Sequence, residues 1–215
     1  ITGFPEAAAV QEASDAALPE CEGDGLVMAM EVGASLGNMA NAWWMTSSKE
    51  SRAGHRDAKP NYLPCASERA YPGSILVNRR GQRFVDEAMN YNALGFALHT
   101  FDPHTYEWVN LPYWMVFDSN YMRNYRMFTS LPGDPVPSWA VGADTLEELG
   151  AKVGIDGEGL AATVERFNGF ARQGHDDDFG RGDNTWDRWV GDTAKPGTAD
   201  SRQHKEQRRR QQRDK

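Results

Sequence analysis

Between residues 23 and 38 the chain reads GDGLVMAMEVGASLGN, with Leu26, Met30, Val32 and Leu36 marking a helix. Asp24 is suited to cap its start and Gly37-Asn38 to stop it. Ala29, Gly33 and Ala34 leave room for another backbone to approach. The periodicity then lapses. Residues 41–72 scatter Trp43, Trp44, Tyr62 and Tyr71 among polar and chain-breaking residues, as in an excursion from one domain into another. Strand-like runs resume at Ile75–Val77 and at Arg83–Val85, on either side of an Arg80-Gly81 turn. This pattern predicts an antiparallel hairpin.

Residues 89–99 are ambiguous, although Leu94, Phe96 and Leu98 fit a short helix with tertiary help. LPYWMVFD, residues 111–118, predicts a second buried or half-buried strand. After an aromatic, arginine-rich stretch at 121–128 and a proline-bearing connection at 132–137, two helices are expected. The first, near 145–153, has a Thr145/Glu148 capping pattern; the second, 156–172, starts at Asp156 and carries Leu160, Val164, Phe167 and Phe170. Trp186 and Trp189 are placed to dock an acidic, glycine-rich loop on the core. The order predicts an N-terminal remnant (1–45), an α+β section (46–192) and a tail (193–215).

Charge sharpens the boundary of the tail. Seven basic and two acidic residues fall in 201–215, so a stretch of about +5 follows a body of about −13 within a net charge of −8. The tail reads either as a disordered end or as a binding tail. An acidic body offers no attraction to nucleic acid. Cys21 and Cys65 form no CxxC pair and fit a reducing cytoplasm, and no apolar run approaches the ~20 residues of a membrane span. The five histidines are scattered, so no metal site is expected; Asp176–Asp178 reads as an acidic surface loop, with a cation site as the alternative.

Chemistry is thinly signposted. There is no nucleotide-binding glycine fingerprint, and Gly23-Asp24-Gly25 opening a helix is either a structural turn or a place for a cofactor oxygen. Tyr91 lies just past the hairpin, ahead of the helical stretch, where its hydroxyl could enter a cleft; packing is the alternative reading. An ordinary tyrosine titrates near pH ~10, so it serves as a base only where the pocket stabilises phenolate. Arg79, Arg80 and Arg83 are equally explained as surface charges of the hairpin.

GDGLVMAMEVGASLGNM, then PGSILVNRRGQRFVDEAMNYN, NLPYWMVFDSNYMRNY and GIDGEGLAATVERFNGFARQGHDDDFGRG, together resemble the fumarate reductase/succinate dehydrogenase-like flavoproteins. The 3-ketosteroid 1-dehydrogenase branch is the nearer likeness. The resemblance implies an FAD-dependent oxidoreductase of two domains, and for this chain the cap (substrate) domain with a small remnant of the α/β FAD-binding domain. It puts Thr2, Gly3, Gly23, Asp24 and Gly25 near FAD. It implies that the first FAD segment and the returning one lie elsewhere, so that this chain alone holds FAD poorly and other segments serve as partners. Where the fumarate-reducing branch has an arginine after its R-F-x-N-E motif, Arg83-Phe84-Val85-Asp86-Glu87 is followed by Tyr91. That substitution is similar to the ketosteroid branch, where a tyrosinate removes a proton beside the carbonyl while flavin accepts hydride. Trp43, Trp44, Tyr113 and Tyr121 are then candidates for the wall of a pocket for a small apolar or steroid-like ketone, or else for core. A non-catalytic binding module and a fumarate reductase-like enoate reductase are the alternatives.

Overall fold

The computed structural model describes residues 23–39, 43–48, 63–65, 67–128, 130–137 and 140–192. The elements run α1 (Asp24–Glu31), β1 (Ser47–Ser48), β2 (Leu63–Pro64), a 3-10 turn (Glu68–Ala70), β3 (Ser74–Asn78), α2 (Tyr91–Leu98), β4 (Phe101–Asp102), β5 (Glu107–Trp108), β6 (Tyr113–Phe117), α3 (Ser119–Asn124), α4 (Leu146–Val153), α5 (Gly157–Gln173) and α6 (Thr185–Val190). Strands pair two by two and antiparallel: β1 with β2, β3 with β6, β4 with β5.

The β3–β6 ladder is the centre of the molecule, and it corrects the expected hairpin. β3 pairs over its full length with β6, from Ser74 opposite Phe117 to Asn78 opposite Tyr113, and Arg83 meets Val77 only at a single bridge. The reason is burial. Every residue of β3 is buried, and β6, apolar on both sides, extends both faces of the ladder beneath the residues that cover them. Alternation sorts the two sides. Ile75, Val77, Trp114 and Val116 pack with Ile155 and Leu160, whereas Leu76, Tyr113 and Met115 pack with Val85, Leu94 and Leu98. A third cluster gathers Tyr121, Met122, Met127 and Phe128 with Tyr71 and Phe117.

Local chemistry sets the helix starts. Asn90, Asp118, Thr145, Asp156 and Asn184 each accept a backbone N–H at the head of α2, α3, α4, α5 and α6. The Arg80-Gly81 turn persists, closed by Gly81 N–H to Asn78 O at 2.9 Å and backed by Asp156 N–H to Arg79 O at 2.9 Å. Gly81 has φ +69°, and a Cβ there would lie 2.3 Å from Leu160 N, so turn and α5 meet backbone to backbone. α1 is shorter than its sequence suggests. Gly23, not Asp24, is its N-cap, and Leu26, Val27, Met28 and Met30 are all exposed. In α2, Leu94 and Leu98 turn inward while Phe96 is exposed. Among the described residues no helix is long and apolar enough to cross a membrane.

Candidate active site

Tyr91 is the first residue of α2, and the chain that delivers it is held from several directions. Asn90 Oδ1 accepts Ala93 N–H at 2.9 Å, fixing the entry to the helix. Gly95, one turn along, has no side chain because Trp44 sits there: a Cβ would fall 2.2 Å from Trp44 Cβ. Trp44 N–H donates to Asn92 Oδ1 at 3.0 Å, and the Trp44 ring lies 4.5 Å from that of His99. Its neighbour Trp43 is thereby carried over Tyr91, with ring centroids 6.3 Å apart and planes inclined by 26°. Trp43 is 80% exposed, so its ring offers an open apolar face beside the tyrosine.

The other two aromatic candidates lie elsewhere. Tyr121 is fully buried in the third cluster, and its hydroxyl donates to Glu68 O at 2.8 Å. Tyr113 packs against the Leu76–Leu94 cluster, edge-on to Phe84. Burial raises both phenols well above the ordinary tyrosine value, with Cys65 adding to the effect. Both phenols are thereby less ready than an ordinary tyrosine to give up a proton. Burial beside Glu68 pushes the Cys65 thiol itself up to about 12. The structure thus brings Tyr91, Trp43 and Trp44 together and places Tyr113 and Tyr121 in core clusters.

Four residues ahead of Tyr91, Glu87 belongs to a charged group that sequence reasoning missed. Glu87 is fully buried; its carboxylate accepts from Arg83 Nε at 2.8 Å, Arg181 at 3.1 Å and Leu76 N–H at 3.1 Å. Arg83 also grips Asp176 at 2.9 and 3.2 Å, with the Phe167 ring 4.6 Å from its guanidinium carbon. Arg181 donates in addition to Ser74 O, Ala70 O and Tyr71 O. Two expectations are corrected here. Arg83 is not a surface charge, its side chain being 3% exposed, and Asp176 is buried rather than on the surface. Two cations and two anions balance, which is why the group tolerates burial. Burial alone would raise the Asp176 carboxyl, but the hydrogen bonds and charge of Arg83 outweigh it and hold it below its ordinary value. The Arg83/Glu87 spacing was a visible signal; nothing local pointed to Arg181, since its partners lie more than 90 residues away.

At the other end of the described chain, Gly23 has φ +98° and opens α1 with no side-chain cap. The first N–H groups of a helix lack intrahelical acceptors, and a Cβ at Gly23 or Gly25 would meet nothing within 4 Å. The backbone donors around Gly23, Asp24 and Gly25 are therefore open to an incoming acceptor. Thr2 and Gly3 lie outside the described residues, as does the basic tail at 193–215. Among the described residues there is no cluster of His, Cys, Asp and Glu able to hold a metal.

Residues 2–200 match the model of a family described as FAD binding domain. The chain belongs to this FAD-binding-domain family. It is 42% identical over 174 residues to a 4-oxocyclohexanecarboxylate 2-dehydrogenase of Sinomonas cyclohexanicum, covering 81% of this chain and 30% of that protein. It is 40% identical over 180 residues to a 3-oxosteroid 1-dehydrogenase of Mycobacterium tuberculosis, covering 79% and 30%. Among solved structures it is similar to a 3-ketosteroid delta1-dehydrogenase from Sterolibacterium denitrificans, with a TM-score of 0.69 and 33% identity over 85% of this chain and 32% of that one. The chain thus spans about 30% of the length of the curated relatives it matches. The likeness to the ketosteroid dehydrogenase branch of the FAD-binding oxidoreductases holds.

The match also corrects the expected fold class. The FAD-binding-domain model takes in nearly the whole chain, so this region is assigned to that domain and not to a separate cap with a small FAD-domain remnant. The β3–β6 ladder and its helices make a local apolar core, and that is why the sequence of the middle region reads as a unit of its own.

Proposed function

We propose that the protein to which this chain belongs is an FAD-dependent oxidoreductase that dehydrogenates a cyclic ketone beside its carbonyl, and that Tyr91 is its proton acceptor. The observation that carries this reading is Tyr91 at the head of α2, under the open face of Trp43. The names of the similar proteins, which act on an oxocyclohexane carboxylate and on 3-oxosteroids, support the substrate class. An alicyclic ketone would lie against the exposed Trp43 ring, which excludes water from one side of it. Tyr91 Oη takes the proton from the carbon next to the carbonyl, and that carbon's electron pair becomes part of the new double bond. When bound, FAD supplies the ring that accepts hydride from the adjacent carbon. Gly23, Asp24 and Gly25 would help to hold it through backbone donors at the head of α1.

The test is reduction of the flavin in the full-length, FAD-bound protein by 4-oxocyclohexanecarboxylate and by a 3-oxosteroid, followed as bleaching of the flavin band. Tyr91→Phe is expected to keep FAD and to slow bleaching by about 10²- to 10⁴-fold. A rate equal to that of the parent protein would make Tyr91 a packing residue.

A further inference from the structure

Three consecutive carbonyls run into the helix that begins at Tyr91, and each is captured by a side chain from a distant part of the chain. Arg69, 2% exposed, donates through its two terminal nitrogens to Glu87 O and, at 2.7 Å, to Met89 O, while its Nε reaches Cys65 O at 3.3 Å. Between those two carbonyls, Ala88 O accepts from Trp186 Nε1 at 2.9 Å. Asp86 closes the segment from below, its Oδ1 accepting Ala88 N–H at 2.8 Å and its carbonyl accepting Met89 N–H at 3.1 Å. The next residue is Asn90, the N-cap of α2, and the next is Tyr91.

A backbone segment whose successive carbonyls all have side-chain donors has little freedom to rotate its peptide planes. Arg69 suits this work because a planar guanidinium presents its donors in a fixed fork, so one residue spans two carbonyls that point the same way. Trp186 belongs to α6, 98 residues further along the chain, so α6 acts as a strut against residues 87–89. Neither side chain is near enough in sequence to be part of the motif that ends in Tyr91.

We propose that Arg69 and Trp186 are positioning residues for Tyr91, clamping the carbonyls of residues 87–89 so that the phenol at the head of α2 keeps one orientation toward the substrate. This rests on the reading of Tyr91 as proton acceptor. The clamp acts on kcat through Tyr91 and not on substrate affinity, because both residues hold backbone carbonyls of residues 87–89.

The experiment is a double-mutant cycle in the full-length, FAD-bound protein, with 4-oxocyclohexanecarboxylate as substrate and a dye as electron acceptor. Trp186→Phe keeps the aromatic volume and removes only the Nε1 donor. It is expected to lower kcat about 10-fold, with KM within about twofold and flavin content unchanged. Arg69→Lys keeps the charge but loses the fork, and should lower kcat at least as far. In the Tyr91→Phe background, neither change should lower the rate further, because the group they orient is gone. The inference is overturned if Tyr91→Phe is slow and the losses multiply in full, or if Trp186→Phe leaves kcat intact. A Tyr91→Phe variant as fast as the parent overturns the underlying reading as well, which separates the two failures. Should Arg69→Lys not fold, Trp186→Phe, at a position 41% exposed, decides the question alone.

Discussion

A carboxylate buried to completion is useful only while its partners stay. Glu87 accepts from two arginines and one amide, so Glu87→Gln leaves Arg83 and Arg181 short of an anion within the core. The expected loss is about 3–5 kcal/mol, read as a lowered midpoint in urea unfolding. Asp86 and Asp187 present the opposite problem. Asp187 Oδ1 is buried without a donor among the described residues, and Asp86 lies within hydrogen-bonding reach of Asp187. Desolvation, the charge of Asp187 and that hydrogen bond raise the Asp86 carboxyl to about 7. A proton on Asp86 then supplies the missing donor. Its folded value lies above the ordinary ~3.9, so the folded state binds more protons across that interval. The stabilisation is complete below about pH 4 and is lost as pH rises through about 7. Asp86→Asn provides a permanent donor. Its thermal midpoint should exceed the parent's at pH 8 and converge with it near pH 4; a constant difference at both pH values would refute the shared proton.

Elements here are joined by glycines as much as by side chains. The Arg80-Gly81 turn lies so close to α5 that a Cβ at Gly81 would strike Leu160 N, and one at Gly159 would lie 2.1 Å from Arg80 O. Gly81→Ala combines that collision with a positive φ, and is expected to destabilise by roughly 2–4 kcal/mol, measured by urea unfolding. Gly95→Ala makes a different point. It would push Trp44 off α2 and take Trp43 away from Tyr91, so the expected outcome is a red-shifted tryptophan emission with most of the cooperative unfolding retained. An unshifted emission spectrum would mean that the arm docks without the close approach at Gly95. The starts of α4 and α5 were legible because each cap is a contact within three residues: Asp156 accepts from Glu158 and Gly159, and Thr145 accepts from Glu148.

On the scale of the whole molecule, α1 stands out because Leu26, Val27, Met28, Met30 and Val32 are all exposed. An apolar face of this kind favours association. At tens of micromolar, the 215-residue chain is expected to sediment as a mixture of associated species, and a Val27→Glu, Met28→Lys pair should shift it toward monomer. A monodisperse parent chain would show that these residues are covered in solution. The charged group around Glu87 works at the same scale, since Arg181 and Asp176 come back to β3 and to residues 83–87 from beyond α5.

Features that depend on close neighbours along the chain could be read before folding. These are the capped starts of α4 and α5, the two apolar runs that become β3 and β6, the Gly81 turn, and the ordered motifs that carry the family likeness and point to Tyr91. Tertiary structure decided the partners. It paired β3 with β6 instead of with the run at Arg83, because a strand buried on both faces takes the neighbour that is apolar on both. It drew Arg83 and Asp176 inward across a separation of 93 residues, and it buried Tyr121 while leaving Trp43 open beside Tyr91. A local pattern records how polar a position is. Whether a charge or a ring ends inside depends on a complementary group arriving from far along the chain, and only the folded chain supplies it.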